Sequence, residues 1–250
     1  RCGDSITWTL DDLGNLTLSG SGEMWNYGYD DSPFKDYGIK TVTIEDGITG
    51  IGRWAFYGCN GLTELTLPNS VTSIGDAAFY GCSGLTELTL PNSVTSIGNS
   101  AFWDCSGLTE LTLPNSVTSI GNSAFYGCSG LTKLTLPNSV TSIGSSAFLG
   151  CRGLTELTLP NSVTSIEEKA FSDCSGLAKI TSLAEIPPVC SSNVFDGVNK
   201  INCELIVPIV SVVAYKQSRG WNEFSNITAA TVRCGDSITW TLDDLGNLTL

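Results

Sequence analysis

Six cysteines, Cys59, Cys82, Cys105, Cys128, Cys151 and Cys174, stand 23 residues apart. The residues around each of them recur as well, and residues 85–107, LTELTLPNSVTSIGNSAFWDCSG, are one clean copy. A fixed period of this length means a chain built of stacked coils. One such unit cannot enclose a core; its apolar residues are buried only when the next copy is laid on it. Any function must therefore be compatible with a one-dimensional stack.

Within the copy, Leu88 and Leu90 are two apart, so a strand puts both on one face and turns Glu87 and Thr89 to solvent. Pro91 ends that strand, having no N–H for a ladder, and Asn92-Ser93 is turn chemistry. Val94 and Ile97 are apolar and β-branched, so VTSI reads as a second extended segment. Gly98 permits the bend out of it. Ala101-Phe102 to Cys105 reads as a short helical turn, because Phe102 and Cys105 at i, i+3 share a face. Ser106-Gly107 turns the chain back to Leu108.

The spacing L-x-x-L-x-L of Leu85, Leu88 and Leu90 is the strand signature of a leucine-rich repeat. In the common form an asparagine follows the last strand leucine by three and is buried as a ladder. Here Asn92 follows Leu90 by two, and Val94 takes the inward role. The whole unit, with AF-x-x-C-x-x-L behind the second extended segment, resembles the BspA-type leucine-rich repeat of bacterial and protist surface proteins. The resemblance covers most of the chain. It implies a right-handed, β-rich leucine-rich-repeat solenoid of 23-residue coils with short helical turns. It also implies a place outside the cell or on its surface, and binding to proteins of hosts or other microbes.

Residues 1–38 do not fit the repeat. SITWTL and NLTL flank Asp11-Asp12-Leu13-Gly14, a hairpin pattern, and the aromatics Trp25, Tyr27, Tyr29, Phe34 and Tyr37 follow. This reads as a β-hairpin N-terminal cap over the first open coil, and its opening also resembles BspA-type modules. Coils occupy 39–199, the first beginning at Ile39 and the regular ones from Leu62 to Leu154. The pattern loosens at Leu177, where Pro187-Pro188 forces an extended stretch. Residues 200–232 read as a mixed C-terminal cap. ELIVP is its last strand and VSVVAYKQ a helix, with Trp221, Phe224 and Ile227 packed back onto the final coil. Arg233 to Leu250 repeats Arg1 to Leu18 without a change, position 233 matching position 1 at an offset of 232. The chain thus reads as one module and the opening, 233–250, of an identical one, with AATV as the joint. The second copy is expected to form the same hairpin. Its Trp240 and Leu242 then need a surface, and the cap around Trp221 and Phe224 is the nearest.

The chain has no histidine, so Ser-His and Cys-His nucleophile pairs are unavailable. No phosphate-binding loop is present, because Gly20-Ser21-Gly22 lacks the rest of any such motif. No catalytic residue and no cofactor is expected. A formal net charge of −13 argues against nucleic acid, which needs a basic footprint. No run approaches the roughly 18 apolar residues of a membrane span, so no membrane insertion is expected. Nothing at the start reads as a signal peptide, as expected of a cut or mature chain.

The ladder cysteines read as small buried hydrophobes with free thiols. Stacked side chains run parallel where a disulfide needs them to converge, and zinc needs converging pairs such as C-x-x-C, which are missing. Cys190 and Cys203 lie outside the ladder, and their pairing stays open. Asp11, Asp12, Asp30, Asp31 and Asp36 carry no EF-hand spacing, so no metal is expected. Asn15-Leu16-Thr17 and Asn226-Ile227-Thr228 match the glycosylation acceptor, a motif common by chance.

Two columns remain as a candidate binding surface. Glu64, Glu87, Glu110, Lys133 and Glu156, continued by Lys179, occupy one outward strand position, with threonines beside them. They form either a recognition face or a solvated one in which threonine favours strand geometry. Tyr57, Tyr80, Trp103 and Tyr126 follow the buried phenylalanines and are continued by Leu149 and Ser172. They could grip a protein or a sugar, or shield the coil edge. Two functions follow. One is an extracellular adhesion or protein-binding module, with carbohydrate as a further ligand class. The other is a structural stalk or filament in which the chain's partner is itself, module end to module end.

Overall fold

The computed structural model describes residues 1–230 and the strand backbone of 232–233, 239–242 and 248–249. The repeat winds into a parallel β-solenoid of about nine turns spaced about 23 residues apart, with little helix. Each regular coil has three sides. The L-x-L segment forms one sheet, whose strands pair in three runs. The first is Asn15–Glu23, Thr41–Ile44 and Glu64–Thr66; the second is Glu87–Thr89, Glu110–Thr112 and Lys133–Thr135. The third is Glu156–Leu159, Lys179–Ser182, Glu204–Val207 and Asn226–Ala229. The VTSI segment forms a second, unbroken sheet of two-residue strands such as Ser96–Ile97, running from Ile48–Ile51 to Val189–Cys190. The pairing is in register by the period: Leu88 faces Leu111, and Ile97 faces Ile120.

The third side is the AF-x-x-C stretch, and here the short helical turn takes a particular form. Only alternate N–H groups close i→i−3 turns, as Trp103 does to Ser100 at 3.1 Å and Cys105 to Phe102 at 3.3 Å. The N–H groups between them donate to the next coil: Phe79 to Ala101, Phe102 to Ala124 and Phe125 to Ala147, each at 2.8 Å. A continuous helix would keep every donor inside its own coil and leave this side unbonded to its neighbours. The alternation requires two left-handed residues per coil, at Ser100 (φ 54) and Asp104 (φ 54) in the copy at 85–107.

The core is a set of single files along the axis. Phe34, Phe56, Phe79, Phe102, Phe125, Phe148, Phe171 and Phe195 stack with centroids 5.0 to 5.9 Å apart. The ladder cysteines are buried free thiols. Each donates to the phenylalanine carbonyl of the coil before, as Cys105 Sγ does to Phe79 O at 3.3 Å and Cys128 Sγ to Phe102 O at 3.3 Å. The serine of the P-N-S corner does the same for the second sheet, Ser93 Oγ donating to Val71 O at 2.6 Å. Gly98 does more than permit a bend. A Cβ on its successor Gly121 would meet the Gly98 carbonyl carbon at 2.7 Å, so the coils are drawn together there.

At the start, strand β1 (Ser5–Leu10) pairs antiparallel with β2 (Asn15–Glu23). The first half of β2 pairs Thr41–Ile44 and its far end meets Ile48 and Gly50. One strand thereby opens both sheets. Trp8 sets its edge on Phe34 at 5.7 Å, and Phe34 begins the phenylalanine file.

At the other end, helix α1 (Val212–Gln217) and the turn after it send aromatics inward. Trp221 meets Phe195 at 5.2 Å, and its Nε1 donates to Pro188 O at 2.8 Å. The Tyr215 hydroxyl donates to Ala184 O at 2.9 Å. Trp221 and Phe224 are buried, 0% and 4% exposed, so they close their own module and offer no open surface to another. The backbone of the repeated segment pairs Thr241 with Thr249 and Leu242 with Leu248. That is the register in which Thr9 meets Thr17 and Leu10 meets Leu16. The expected docking of Trp240 and Leu242 lies outside the described residues.

Two outcomes are expected. Phe102→Ala empties a ring site between Phe79 and Phe125 and should cost about 3–5 kcal/mol, while exposed Glu87→Ala should stay within about 0.5 kcal/mol. Denaturant midpoints decide this, since stacked repeats can depart from two-state unfolding; comparable large losses would refute the placement. Burial holds the Cys59 and Cys174 thiols protonated up to about 12, against an ordinary 9.0. Between those values the unfolded chain binds fewer protons than the folded one. Stability should be complete below pH 9.0 and fall as pH rises toward 12. A thiol reagent near pH 8 should label the six only after denaturation; rapid native labelling would contradict their burial.

Candidate functional site

The outward strand column is set by period and alternation together. Ladder register places Thr41 beside Glu64, Glu87 beside Glu110, Glu110 beside Lys133, and Glu156 beside Lys179. Glu64, Glu87, Glu110, Lys133 and Glu156 are all exposed, as are Thr66, Thr89, Thr112, Thr135 and Thr158. Lys133 Nζ lies 3.3 Å from Glu110 Oε2, a solvent-exposed pair worth about 0–1 kcal/mol. Glu64 and Glu87 continue the column toward the first coil, so its negative end faces the N-terminus.

The strand ladder lapses twice, between Glu64–Thr66 and Glu87–Thr89 and between Lys133–Thr135 and Glu156–Leu159. Like charge is not the cause, because the second lapse sets Lys133 against Glu156. A recess of about 380 Å³ lies over the first lapse, lined by Thr63, Glu64, Thr66, Thr86, Glu87 and Thr89. Another of about 470 Å³ includes Glu87, Asn92, Glu110, Thr112 and Pro114. Both are open hollows in which carboxylates and threonines predominate, beside Leu65 in the first and Leu88, Leu90 and Pro114 in the second. An enclosed small-molecule site is instead concave and mostly apolar.

The aromatic column runs down the turn side, so the structure sets the two candidate columns on different sides of the coil. Tyr57 meets Tyr80 at 5.5 Å, Tyr80 meets Trp103 at 5.5 Å, and Trp103 stacks on Tyr126 at 3.8 Å. All four rings are half-buried: each packs on its neighbours and keeps one flank open. The row stops where Leu149 and then buried Ser172 take the place.

Sequence reasoning left out two members. Trp54 meets Tyr57 at 5.3 Å and Tyr80 at 5.6 Å, and Tyr29 meets Tyr57 at 5.0 Å. Trp54 was legible as an aromatic in the place that other coils give to Ala77, Ser100 or Ser123. Tyr29 carried no periodic signal. The Tyr57 hydroxyl donates to the Tyr29 hydroxyl at 3.0 Å, and that bond, with burial and nearby charge, pushes Tyr57 up to about 12. The Lys35 ammonium sits 5.9 Å from the centre of the Tyr57 ring and pairs with Asp30.

The remaining candidates are occupied in other ways. The Asp11 carboxylate accepts the backbone N–H groups of Leu13 and Asn15, each at 2.9 Å, which holds it below the ordinary 3.8. Asn15 Nδ2 donates to Asp11 at 2.8 Å, so this acceptor amide is engaged in the hairpin turn. Cys190 and Cys203 are buried free thiols. Among the described residues, no three metal-ligating side chains gather, and no helix is long and apolar enough to cross a membrane.

The Tyr29–Tyr57 bond gives a direct test of this cluster. Tyr29→Phe removes the acceptor, so the Tyr57 titration followed by NMR should fall from about 12 toward 10.0. An unchanged midpoint would show that the bond does not hold the proton.

The sequence matches the family described as BspA type leucine rich repeat region, in six copies, over residues 30–151 and 95–206. No match is found among curated proteins. Among solved structures, a leucine rich cell surface protein from Faecalibacterium prausnitzii is similar at 27% identity, covering 85% of this chain and 71% of that one, with a TM-score of 0.63. The leucine rich repeat protein of T. pallidum is similar at 28% identity, covering 73% and 86%, with a TM-score of 0.55. A leucine-rich repeat protein from Bacteroides ovatus shares the fold at 23% identity, covering 91% and 76%, with a TM-score of 0.55. With the repeat matched over more than half of its length and wound into the same kind of solenoid, this chain belongs to the BspA-type leucine-rich-repeat family.

Proposed function

We propose that the chain is a non-enzymatic, extracellular or cell-surface module that binds protein through its outer columns. Within this reading, residues 1–38 cap the first coil, 39–199 form the binding solenoid, 200–232 close it, and 233–250 open a following module. The observation that carries the reading is the aromatic row Tyr57, Tyr80, Trp103 and Tyr126. Its rings are held rigid by stacking, yet each keeps an open flank. Fixed aromatics lose little side-chain entropy on binding and dominate interface energetics. The shallow carboxylate-and-threonine hollows beside Glu87 and Glu110 suit an extended protein segment better than a buried small molecule. A sugar stacking on the rings is the further ligand class. The surface location is supported by the likeness to the F. prausnitzii cell surface protein.

A second reading is a stalk or filament of modules joined end to end. The unchanged repeat of residues 1–18 at 233–250 favours it.

Binding of the labelled chain to intact bacterial and epithelial cells, with and without Trp103→Ala/Tyr126→Ala, separates the two. The binding reading expects saturable binding that falls about tenfold or more in the double variant, measured well below the melting midpoint of either protein so that both are folded. Binding that ignores the double variant, or no saturable binding at all, overturns the reading in favour of the stalk.

A further inference from the structure

The regular coils end their L-x-L strand in Pro-Asn-Ser, a corner that shows solvent an asparagine. Coil 177 departs from this. Ser182 stands beside Leu159 in register, so Leu183 and Ala184 fall where Pro160 and Asn161 fall one coil earlier. The corner then reads Leu-Ala-Glu-Ile, with Leu183 49% and Ile186 83% exposed. The next coil repeats the departure with Pro-Ile-Val, and Val210 is 76% exposed. Ser211 Oγ donates to Glu185 O at 2.7 Å, which binds these two corners together. Val189 and Val213 are exposed in the same segments, and a recess of about 560 Å³ includes Leu183, Ile186 and Val189. Open apolar patches of this kind mark interaction sites.

The path of the chain says what covers the patch. Asn226–Ala229 pairs with Glu204–Val207, and Ala230 N–H donates to Val207 O at 2.8 Å. The chain therefore leaves the module alongside Pro208 and Val210. Only Ala230 and Thr231 separate that strand from Val232–Arg233, which pairs with Trp240 and Thr239 of the repeated hairpin. At 3.8 Å between consecutive Cα atoms, Val232 starts within about 11 Å of Ala229. A two-stranded hairpin alone is marginal in water. In the first copy, Trp8 rests on Phe34 and Tyr37.

We propose that Leu183, Ile186, Val210 and Val213 form the seat on which the opening hairpin of the following module, residues 233–250, packs. The seat replaces the Trp221–Phe224 surface, which its own module fills. It lies at the C-terminal end, beyond the aromatic column, which gives way to Leu149 and Ser172 before it.

Amide exchange on the full 250-residue chain tests the seat. The hairpin strands at 239–242 and 248–249 should exchange at least about tenfold more slowly than in a free peptide of residues 233–250. Ile186→Lys/Val210→Lys should return them to the peptide rate, while β1 and β2 and the melting midpoint stay unchanged. The conservative pair Ile186→Leu/Val210→Ile should keep the protection. Peptide-like exchange in the unmodified chain overturns the proposal, as does protection that survives the lysine pair. A concentration-dependent dimer of the unmodified chain, abolished by the lysine pair, would assign the patch to a second copy and also overturn it.

Discussion

The rest of the structure depends on one file of phenylalanines. Each coil contributes a single ring, and the ring planes in the regular stretch lie within 3–5° of one another. Stacked rings add about 0.5–1.5 kcal/mol each beyond their buried area, and the file holds only if every coil returns its ring to the same place. A constant coil length is the simplest way to do so. Phe34, which belongs to the cap, precedes Phe56 by 22 residues; among the coils themselves there is one exception, and it supports this. Phe195 follows Phe171 by 24 residues, and that pair has the widest separation in the file, 5.9 Å. The extra residue is absorbed at the corner between Ser182 and Cys190, where the repeat loosens and the apolar seat appears.

A stack of this kind must also satisfy its backbone, because a buried amide or carbonyl without a partner costs about 1–3 kcal/mol. Around the second sheet donors go back to the preceding coil, as Gly98 N–H does to Ile74 O at 2.9 Å, while the turn side sends alternate donors forward, as Phe102 N–H does to Ala124 O at 2.8 Å. Short polar side chains take what remains. The cysteine thiol reaches the preceding phenylalanine carbonyl, and the P-N-S serine reaches the preceding valine carbonyl. Cysteine suits its place because it is small, apolar and still a weak donor. Its recurrence in six successive coils therefore has a structural cause.

Much of this could be read from the residues. The period fixed the stack, L-x-L alternation separated Glu87 from Leu88, and the i, i+3 spacing buried Phe102 with Cys105. The bonding of the turn side was not legible, because Ser100, Ala77 and Trp54 carry no side-chain signal for a left-handed backbone. The roles of Ser93 and Gly98 depend on the coil before, which a reading of one coil does not contain. Both candidate columns follow from periodicity alone. Their placement on different sides, and the addition of Tyr29 from outside the repeat, required the folded coil. Trp221 and Phe224 were read as inward, and they are. The same burial removes them as a docking surface, whereas Leu183 and Ile186 break the P-N-S pattern openly in the sequence.

If coils are interchangeable layers held by register, deletion should be tolerated only in whole periods. Removing residues 85–107 takes out one strand of each sheet, one ring and one thiol, and brings Gly84 to Leu108 in the same register. Removing a stretch about half as long shifts every later ring and thiol off its file. Circular dichroism and denaturant unfolding of the two deletions measure the difference directly. The account predicts a folded, cooperative protein with a slightly smaller m-value for the whole-period deletion and loss of the fold beyond the cut for the other. Equal tolerance of both deletions, or collapse on loss of one whole coil, would contradict it.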